Sequence, residues 1–146
     1  NNKLQAMLDI AKSINYLHKH DLVHRDIKPE NMMYTNKSNG KISAKLIDLG
    51  QLHNINNESE NTFQGTESYI APEIQASKIH TKASDMYAFG LTIQRVIEPL
   101  KNSSTSPVLN QMENLAQRLI SEDLEMRPTA EETYKELKSI KINNYS

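Results

Sequence analysis

The sequence predicts a mainly α-helical domain that carries one short β-hairpin. Apolar residues recur at helical spacing in four separate segments, whereas only two short runs have the composition of strands. A polar turn joins those two runs, as it would in a hairpin. The chain has 146 residues, which suffices for one domain and is too short for two of ordinary size.

The first half of the chain is predicted to form a helix, a loop and the hairpin. Apolar residues from Leu4 to Leu17 follow i, i+3, i+4 and i+7 spacing, which is typical of an amphipathic helix. Pro29 cannot continue a helix, so the segment around it is interpreted as a loop. The predicted elements are a helix at 3–19, a loop at 24–31, and strands at 32–34 and 42–47.

The second half is predicted to be helical apart from one polar loop. A segment that is apolar on most sides around Phe89 predicts a buried helix, with Ser84 as its cap and Pro99 as its end. Thr129 and Glu132 fit a capping box, which predicts the start of the last helix. The predicted elements are a loop at 50–65, a helical turn from 71, helices at 84–98, from 107 and from 129, a domain at 1–141 and a flexible tail at 142–146.

The composition argues against several classes of function. Lys and Arg number 17 and Asp and Glu number 18, so the net charge of −1 gives no attraction to nucleic acid or to an anionic membrane surface. No stretch approaches the roughly 20 apolar residues of a membrane span. The absence of cysteine excludes disulfides and a cysteine nucleophile, and it fits a reducing compartment. We therefore expect a cytoplasmic protein.

One loop concentrates the groups that could carry chemistry. The octapeptide HRDIKPEN, which ends at Asn31, presents a carboxylate, an ammonium and a carboxamide, and the tripeptide DLG begins at Asp48. Asp26 could accept the proton of an attacking hydroxyl, and Lys28 could neutralise charge on a transferring phosphoryl group. Asn31 and Asp48 carry the hard oxygen ligands that Mg²⁺ prefers. Because phosphoryl transfer needs mainly positioning and charge neutralisation, this set predicts that reaction.

These motifs and three others resemble the protein kinase domain of the eukaryotic type. HRDIKPEN resembles the catalytic loop, and DLG resembles the magnesium-binding DFG motif with Leu49 in place of phenylalanine. GTESYIAPE from Gly65 resembles the end of an activation segment, and SDMYAFG from Ser84 resembles the start of the buried central helix. Arg127 begins a turn like the one near the end of that domain. The implied fold is the large, C-terminal lobe of a Ser/Thr protein kinase.

The resemblance implies a role for each residue that would meet the substrates. Asp26 would be the catalytic base, and Lys28 would contact the transferring phosphate. Asn31 and Asp48 would bind Mg²⁺, and Met33 would lie under the adenine ring of ATP. The implied reaction is phosphoryl transfer from ATP–Mg²⁺ to serine or threonine in a protein substrate, since Lys28 favours these acceptors over tyrosine.

The resemblance also implies a phosphorylated activation segment. Arg25 would pair with the phosphorylated residue, for which Thr62 is the expected site and Ser59, Thr66 and Ser68 are alternatives. Thr66 would in addition support the two catalytic side chains.

Four residues are assigned structural roles by the resemblance or by their setting. Glu73 and Arg127 would form an ion pair that ties the activation segment to the lobe, and Asp85 would hold the backbone of the catalytic loop. His24 is expected to be a packed residue bonded to nearby backbone. The other histidines are expected at the surface: His18, His20, His53 and His80.

The sequence departs from the complete family pattern in one large respect. Glycine occurs only at positions 40, 50, 65 and 90, so these 146 residues hold no glycine-rich nucleotide loop. We therefore expect that the N-terminal lobe is missing and is supplied in cis upstream or in trans by a partner chain. The isolated chain is expected to be inactive, because half of the ATP site would be open to water.

Three hypotheses remain open at this point. The chain is the large lobe of an active kinase, the large lobe of a kinase split between two chains, or a stand-alone lobe that acts as a protein-interaction module. In each case the apolar surface around Met33 and Leu49 would be exposed, which favours partner binding or homo-oligomers.

Overall fold

The computed structural model describes residues 2–57, 65–103 and 106–145, and it confirms the predicted fold class. Five α-helices and four short antiparallel strands lie in these residues. The helices are α1 (Asn2–Lys19), α2 (Pro72–Ser77), α3 (Lys82–Lys101), α4 (Pro107–Leu119) and α5 (Ala130–Tyr145). The strands are β1 (Leu22–Val23), β2 (Met32–Asn36), β3 (Ile42–Leu46) and β4 (His53–Asn54).

The main core lies between the four long helices. Helix α1 packs against α5 and against β3, and α3 packs against α4. Phe89, Ile93 and Leu115 are fully buried in this core. A Cβ atom at Gly90 would lie 2.7 Å from the Cβ of Leu119, so α3 and α4 approach this closely only because residue 90 has no side chain.

The predicted hairpin is present and packs on α1. Strands β2 and β3 pair in register from Met32 opposite Leu46 to Asn36 opposite Ile42. The carboxylate of Asp9 in α1 accepts a hydrogen bond from the N–H of Ala44 at 3.0 Å, which ties β3 to the helix. Since Met32 faces Leu46, the residues that flank the hairpin are brought to the same end of it.

A second strand pair connects the two segments on either side of the hairpin. Leu22 and Val23 of β1 pair with Asn54 and His53 of β4. This pairing holds the start of loop 24–31 beside the residues that follow Asp48.

Helix α3 is longer at both ends than predicted. Thr81, not Ser84, is its cap: the Thr81 hydroxyl accepts from the N–H of Ser84, and the Ser84 hydroxyl accepts from the N–H of Thr81. Pro99 lies inside the helix, which continues to Lys101. Proline lacks the N–H that would bond the carbonyl of Arg95, but the helix nonetheless continues for two further residues.

The capping box of α5 is present as predicted, with Thr129 and Glu132 bonded to each other's backbone N–H groups. The helix continues to Tyr145, so most of the range 142–146 is helical, and the flexibility proposed for it stays a prediction. Within the described ranges, no helix is both long and apolar enough to cross a membrane.

Candidate active site

The carboxylate of Asp26 is held from two sides. Its Oδ2 accepts a hydrogen bond from Nδ2 of Asn31 at 3.1 Å, and its Oδ1 accepts one from the hydroxyl of Thr66 at 3.0 Å. The side chain of Asp26 is 10% exposed, so the carboxylate remains reachable at one edge of the loop. One residue five positions along the chain and another 40 positions along thus fix this carboxylate.

Lys28 belongs to the same cluster. Its Nζ donates to the Thr66 hydroxyl at 2.6 Å and lies 3.7 Å from Oδ2 of Asp26. The hydroxyl of Thr66 therefore accepts from the ammonium and donates to the carboxylate. The side chains of Asp26, Lys28 and Thr66 are thus in contact, as the resemblance implied.

Asn31 and Asp48 lie at the same end of the hairpin. Ile47, which directly precedes Asp48, is hydrogen-bonded to Asn31. The N–H of Ile47 donates to the carbonyl of Asn31 at 2.9 Å, and the carbonyl of Ile47 accepts from Nε2 of His24 at 3.0 Å. Asp48 follows directly, is exposed, and adopts a left-handed conformation with φ 59° and ψ 57°. Aspartate tolerates this region better than most residues.

The donor set at this position fits a magnesium ion. Nδ2 of Asn31 donates to the carbonyl and the carboxylate of Asp26, which leaves its Oδ1 as the atom that can bind a cation. Together with the exposed carboxylate of Asp48, this provides two hard oxygen ligands. Mg²⁺ in nucleotide sites is typically bound by one or two such groups, with phosphates and water completing its shell.

A buried carboxylate of α3 holds the backbone of loop 24–31 through hydrogen bonds. Asp85 is 2% exposed, and its two oxygens accept from the N–H of His24 at 2.8 Å and the N–H of Arg25 at 3.0 Å. Arg25 has φ 77°, a conformation that a non-glycine residue adopts only when its surroundings impose it. The N–H of Asp26 donates to Nδ1 of His24, so Nε2 of His24 carries the proton given to Ile47.

The predicted surface location of His18 is wrong, because this side chain is buried behind the carboxylate of Asp85. His18 is 6% exposed, and its Nε2 lies 2.9 Å from Oδ2 of Asp85. Burial raises the pKa of Asp85, but the hydrogen bond and charge of His18 and the two backbone N–H groups outweigh it, so the pKa is lowered from 3.8. His18 lies four residues after Ile14 on the apolar stripe of α1, and that spacing could have predicted its burial.

The predicted surface location is also wrong for two other histidines. His53 and His80 are each 5% exposed. His53 lies in β4 opposite Val23, where strand pairing rather than local sequence decides which side chain is covered. His20 is exposed, as predicted.

Arg25 contacts the segment that follows the hairpin. Its Nε donates to the carbonyl of Gln51 at 2.7 Å, and burial lowers the pKa of its guanidinium. A Cβ at Gly65, where φ is 114°, would lie 2.7 Å from the carbonyl oxygen of Arg25. Only glycine allows this close approach, which delivers Thr66 to Asp26. The predicted phosphosite Thr62 lies outside the described residues.

Glu73 and Arg127 are in contact. Nη1 of Arg127 donates to Oε1 of Glu73 at 2.8 Å, and the Arg127 side chain is fully buried. The guanidinium also donates to the carbonyls of Ala83 and Ser121 and lies 5.3 Å from the ring centre of Tyr87. One side chain therefore joins α2, α3 and the turn after α4.

Two large apolar side chains that follow the candidate magnesium ligands in the chain are exposed. Met33 in β2 is 46% exposed and Leu49 is 51% exposed. Met33 lies two positions after Asn31, and Leu49 directly follows Asp48. The structure leaves this apolar surface uncovered.

Comparison with known proteins places the chain in a family. The family model of the protein kinase domain matches residues 2–140, and the chain belongs to that family. The predicted resemblance is confirmed.

Similar curated proteins are kinases by name. Inhibitor of nuclear factor kappa-B kinase subunit alpha of Danio rerio is 40% identical over 91 residues, which are 62% of this chain and 12% of that protein. Probable serine/threonine-protein kinase gdt2 of Dictyostelium discoideum is 35% identical over 91 residues, 61% of this chain and 6% of that protein. Dual specificity protein kinase zak2 of Dictyostelium discoideum is 34% identical over 103 residues, 64% and 16% respectively. The chain thus spans a small part of these relatives.

Proposed function

We propose that this chain is the large lobe of a serine/threonine protein kinase, which transfers the terminal phosphoryl group of ATP to a protein hydroxyl. The observation that carries the proposal is the contact between Asp26, Lys28 and Thr66. A carboxylate and an ammonium of loop 24–31 are joined by the hydroxyl of Thr66. This is the combination that proton acceptance and phosphate neutralisation require.

Each residue has a defined part in this reaction. Asp26 orients the substrate hydroxyl and accepts its proton as the oxygen bonds to phosphorus. Lys28 offsets the negative charge on the phosphoryl group during transfer. Asn31 and Asp48 would hold Mg²⁺, which supplies charge neutralisation on the phosphates when it is bound. Met33 offers an exposed apolar side chain on which an adenine ring can rest.

Specificity for serine and threonine is supported by the position of Lys28. Its ammonium donates to the hydroxyl of Thr66 at 2.6 Å and lies 3.7 Å from the carboxylate of Asp26. The resemblance to serine/threonine kinases implies a lysine at this position. One relative is named a probable serine/threonine-protein kinase and another a dual specificity protein kinase. The specificity is therefore tested by comparing transfer to tyrosine with transfer to serine and threonine.

We also propose that the 146 residues alone are inactive. They contain no glycine-rich loop to cover the phosphates, and Met33 and Leu49 are about half exposed. A second lobe, in the same protein or in a partner chain, would cover this surface and exclude water from the reaction.

The test is phosphate transfer by the full-length protein that contains this chain. Radiolabelled ATP and Mg²⁺ are supplied with peptide libraries that hold only serine and threonine or only tyrosine as acceptors. Asp26→Asn should reduce transfer to the serine/threonine library by at least about 10³-fold, since the general base is lost. Asp123→Asn is the matched control, because asparagine keeps the acceptor oxygen that Asp123 offers to Glu125.

Undiminished transfer by Asp26→Asn would remove Asp26 from the role of base. Equal rates on both libraries would overturn the proposed specificity but not the proposed reaction. Transfer by the 146-residue chain without any partner would overturn its proposed inactivity.

A stand-alone interaction module is the second candidate, and the exposed surface at Met33 and Leu49 favours it. It predicts that the full-length protein binds a partner through this surface and transfers no phosphate. Met33→Asp and Leu49→Asp would then abolish partner binding, measured by co-purification.

A further inference from the structure

A cleft on the opposite side of Asp85 from the active site has no part in the proposed reaction. It lies between the end of α1, the start of α3 and the start of α5, and its volume is about 450 Å³. We call it the α1/α3/α5 cleft. Its volume falls in the range of small-molecule sites, about 300–1,000 Å³.

The lining of the cleft includes buried apolar side chains at its base and an exposed apolar side chain at its edge. Met86 and Ala130 are almost fully buried beneath it, and Ala83 and Pro128 lie beside them. Leu124 at the edge is 45% exposed, and Ala83 and Pro128 are partly exposed. An apolar molecule could cover these three side chains together, with the hydrophobic effect as the driving force.

The basic side chains in the described lining of the cleft are Lys19, Lys82 and Arg127, and the acidic one is Glu131. Lys82 pairs with Asp21, Arg127 with Glu73 and Glu131 with Lys135. Arg127 uses all five of its N–H donors on Glu73, Ala83 and Ser121, so it offers none to a ligand.

The two lysines differ in their partners. Lys82 donates to Asp21 at 3.0 Å, whereas within residues 2–57, 65–103 and 106–145 Lys19 makes no ion pair. Lys19 is thus the cation in the lining that is best able to meet an anionic group of a ligand.

One wall of the cleft is connected to the catalytic loop. His18 lines the cleft, and its Nε2 lies 2.9 Å from Asp85, whose oxygens hold the N–H groups of His24 and Arg25. A ligand that packs against His18 would restrict its ring. The bond to Asp85 and the two backbone bonds beyond it would then open less often.

We propose that the α1/α3/α5 cleft is a binding site for a small amphipathic carboxylate, which has one anionic group and an apolar body. The anionic group meets Lys19, and the apolar body covers Leu124 and Pro128. Occupancy steadies the catalytic loop through His18 and Asp85. The site is separate from the proposed function, since binding requires neither ATP nor phosphate transfer.

The test uses 4-phenylbutyrate as the probe and 4-phenylbutanol as its uncharged counterpart. Each is titrated into the 146-residue chain by calorimetry, after circular dichroism has shown that every variant is folded. We expect saturable binding of the carboxylate and at least about tenfold weaker binding of the alcohol, equivalent to 1.4 kcal/mol.

Two neighbouring exposed residues supply a matched pair of variants. Leu124 lines the cleft, whereas Met126, in the same turn and 59% exposed, does not. Leu124→Glu should weaken 4-phenylbutyrate binding at least about tenfold through charge repulsion and lost apolar contact, and Met126→Glu should leave it within about twofold. Lys19→Gln should weaken it as well, with Lys12→Gln as its control.

Hydrogen exchange tests the connection to the catalytic loop. The amides of His24 and Arg25 should exchange more slowly with 4-phenylbutyrate bound, and His18→Gln should remove that difference while binding persists. Absence of saturable binding, or equal loss in Leu124→Glu and Met126→Glu, would overturn the site. Binding without slower exchange at these two amides would overturn the connection. None of these outcomes bears on phosphate transfer.

Discussion

The reactive cluster and the anchors beneath it are built in opposite ways. Asp26, Lys28 and Thr66 make a few hydrogen bonds with each other and keep part of their surface open. Asp85 and Arg127 are buried and bond mostly to backbone groups. The difference shows a division of labour: the anchors determine where the loops run, and the reactive side chains remain accessible to a substrate. Removing an anchor should therefore affect stability, and altering the cluster should affect the reaction.

The largest loss of stability is expected for Arg127→Met. This change leaves Glu73 and the carbonyls of Ala83 and Ser121 without their buried donor. We expect the free energy of unfolding, measured with urea, to fall by about 3–5 kcal/mol.

Arg118→Met is the control for this variant. Arg118 pairs with Glu136 at the surface, with 43% of its side chain exposed. We expect a loss of at most about 1 kcal/mol. Similar losses in the two variants would mean that burial does not distinguish the anchor from a surface ion pair.

A smaller loss with a characteristic pH dependence is expected for Asp85→Asn. Asparagine has one acceptor oxygen where Asp85 uses two, so unfolding at neutral pH should become about 2 kcal/mol easier. Because the folded-state pKa of Asp85 lies below its ordinary 3.8, the carboxylate stabilises the fold above that pH, and this contribution is lost as the pH falls through the folded-state pKa.

The wild-type protein and Asp85→Asn should therefore converge in stability as the pH is lowered from about 4. Urea unfolding at a series of pH values measures this convergence. A constant gap down to pH 2 would contradict the assigned ionisation of Asp85.

Gly65→Ala should have a moderate effect on stability and a large effect on phosphate transfer. The new Cβ would meet the carbonyl of Arg25 at 2.7 Å and would also require a left-handed backbone. Gly40→Ala at the hairpin turn has φ 77° but no atom within 4 Å, so it measures the backbone term alone, about 1 kcal/mol. Thermal unfolding of both should show a larger loss for Gly65→Ala, and equal losses would argue against the close contact.

The smallest change in stability is expected for Thr66→Val, which removes the bridging hydroxyl from a partly exposed cluster. Unfolding should shift by no more than about 1 kcal/mol, whereas phosphate transfer by the full-length protein should fall about 10²-fold. Thr66→Ser restores the hydroxyl and should recover most of the rate. Thr133→Val is the stability control, because the buried Thr133 hydroxyl has no hydrogen-bond partner in the described part of the chain.

Much of the fold could be predicted because its signals are local. The apolar stripe of α1 predicts residues 3–19 and the helix spans Asn2–Lys19, because one face of a helix is visible in sequence spacing. The hairpin and the capping box at Thr129 are local in the same sense. The prediction that Pro99 ends α3 was wrong. The last turn of the helix tolerates the loss of the hydrogen bond that the N–H of residue 99 would make, and the helix continues to Lys101.

The candidate site likewise contains one part that local sequence predicts and one part that depends on distant segments. Asp26, Lys28 and Asn31 are grouped by the sequence itself, since they lie within six residues of each other in one loop. The partners of that loop are 38 to 61 residues away: Thr66 reaches it past Gly65, and Asp85 reaches it from α3. Contacts of this range follow from chain topology, which no short pattern records.

The sequence by itself determined the long helices, the hairpin, the family and the residues that could do the chemistry, because these depend on spacing within single segments. It did not predict the pairing of β1 with β4 or the ends of α3. Only the tertiary structure decided that His18 is buried against Asp85, that Gly65 must pass within contact distance of Arg25, and that Arg127 joins three segments. Burial and hydrogen-bond partners are properties of the packed chain, because each depends on what the remaining segments bring to that place.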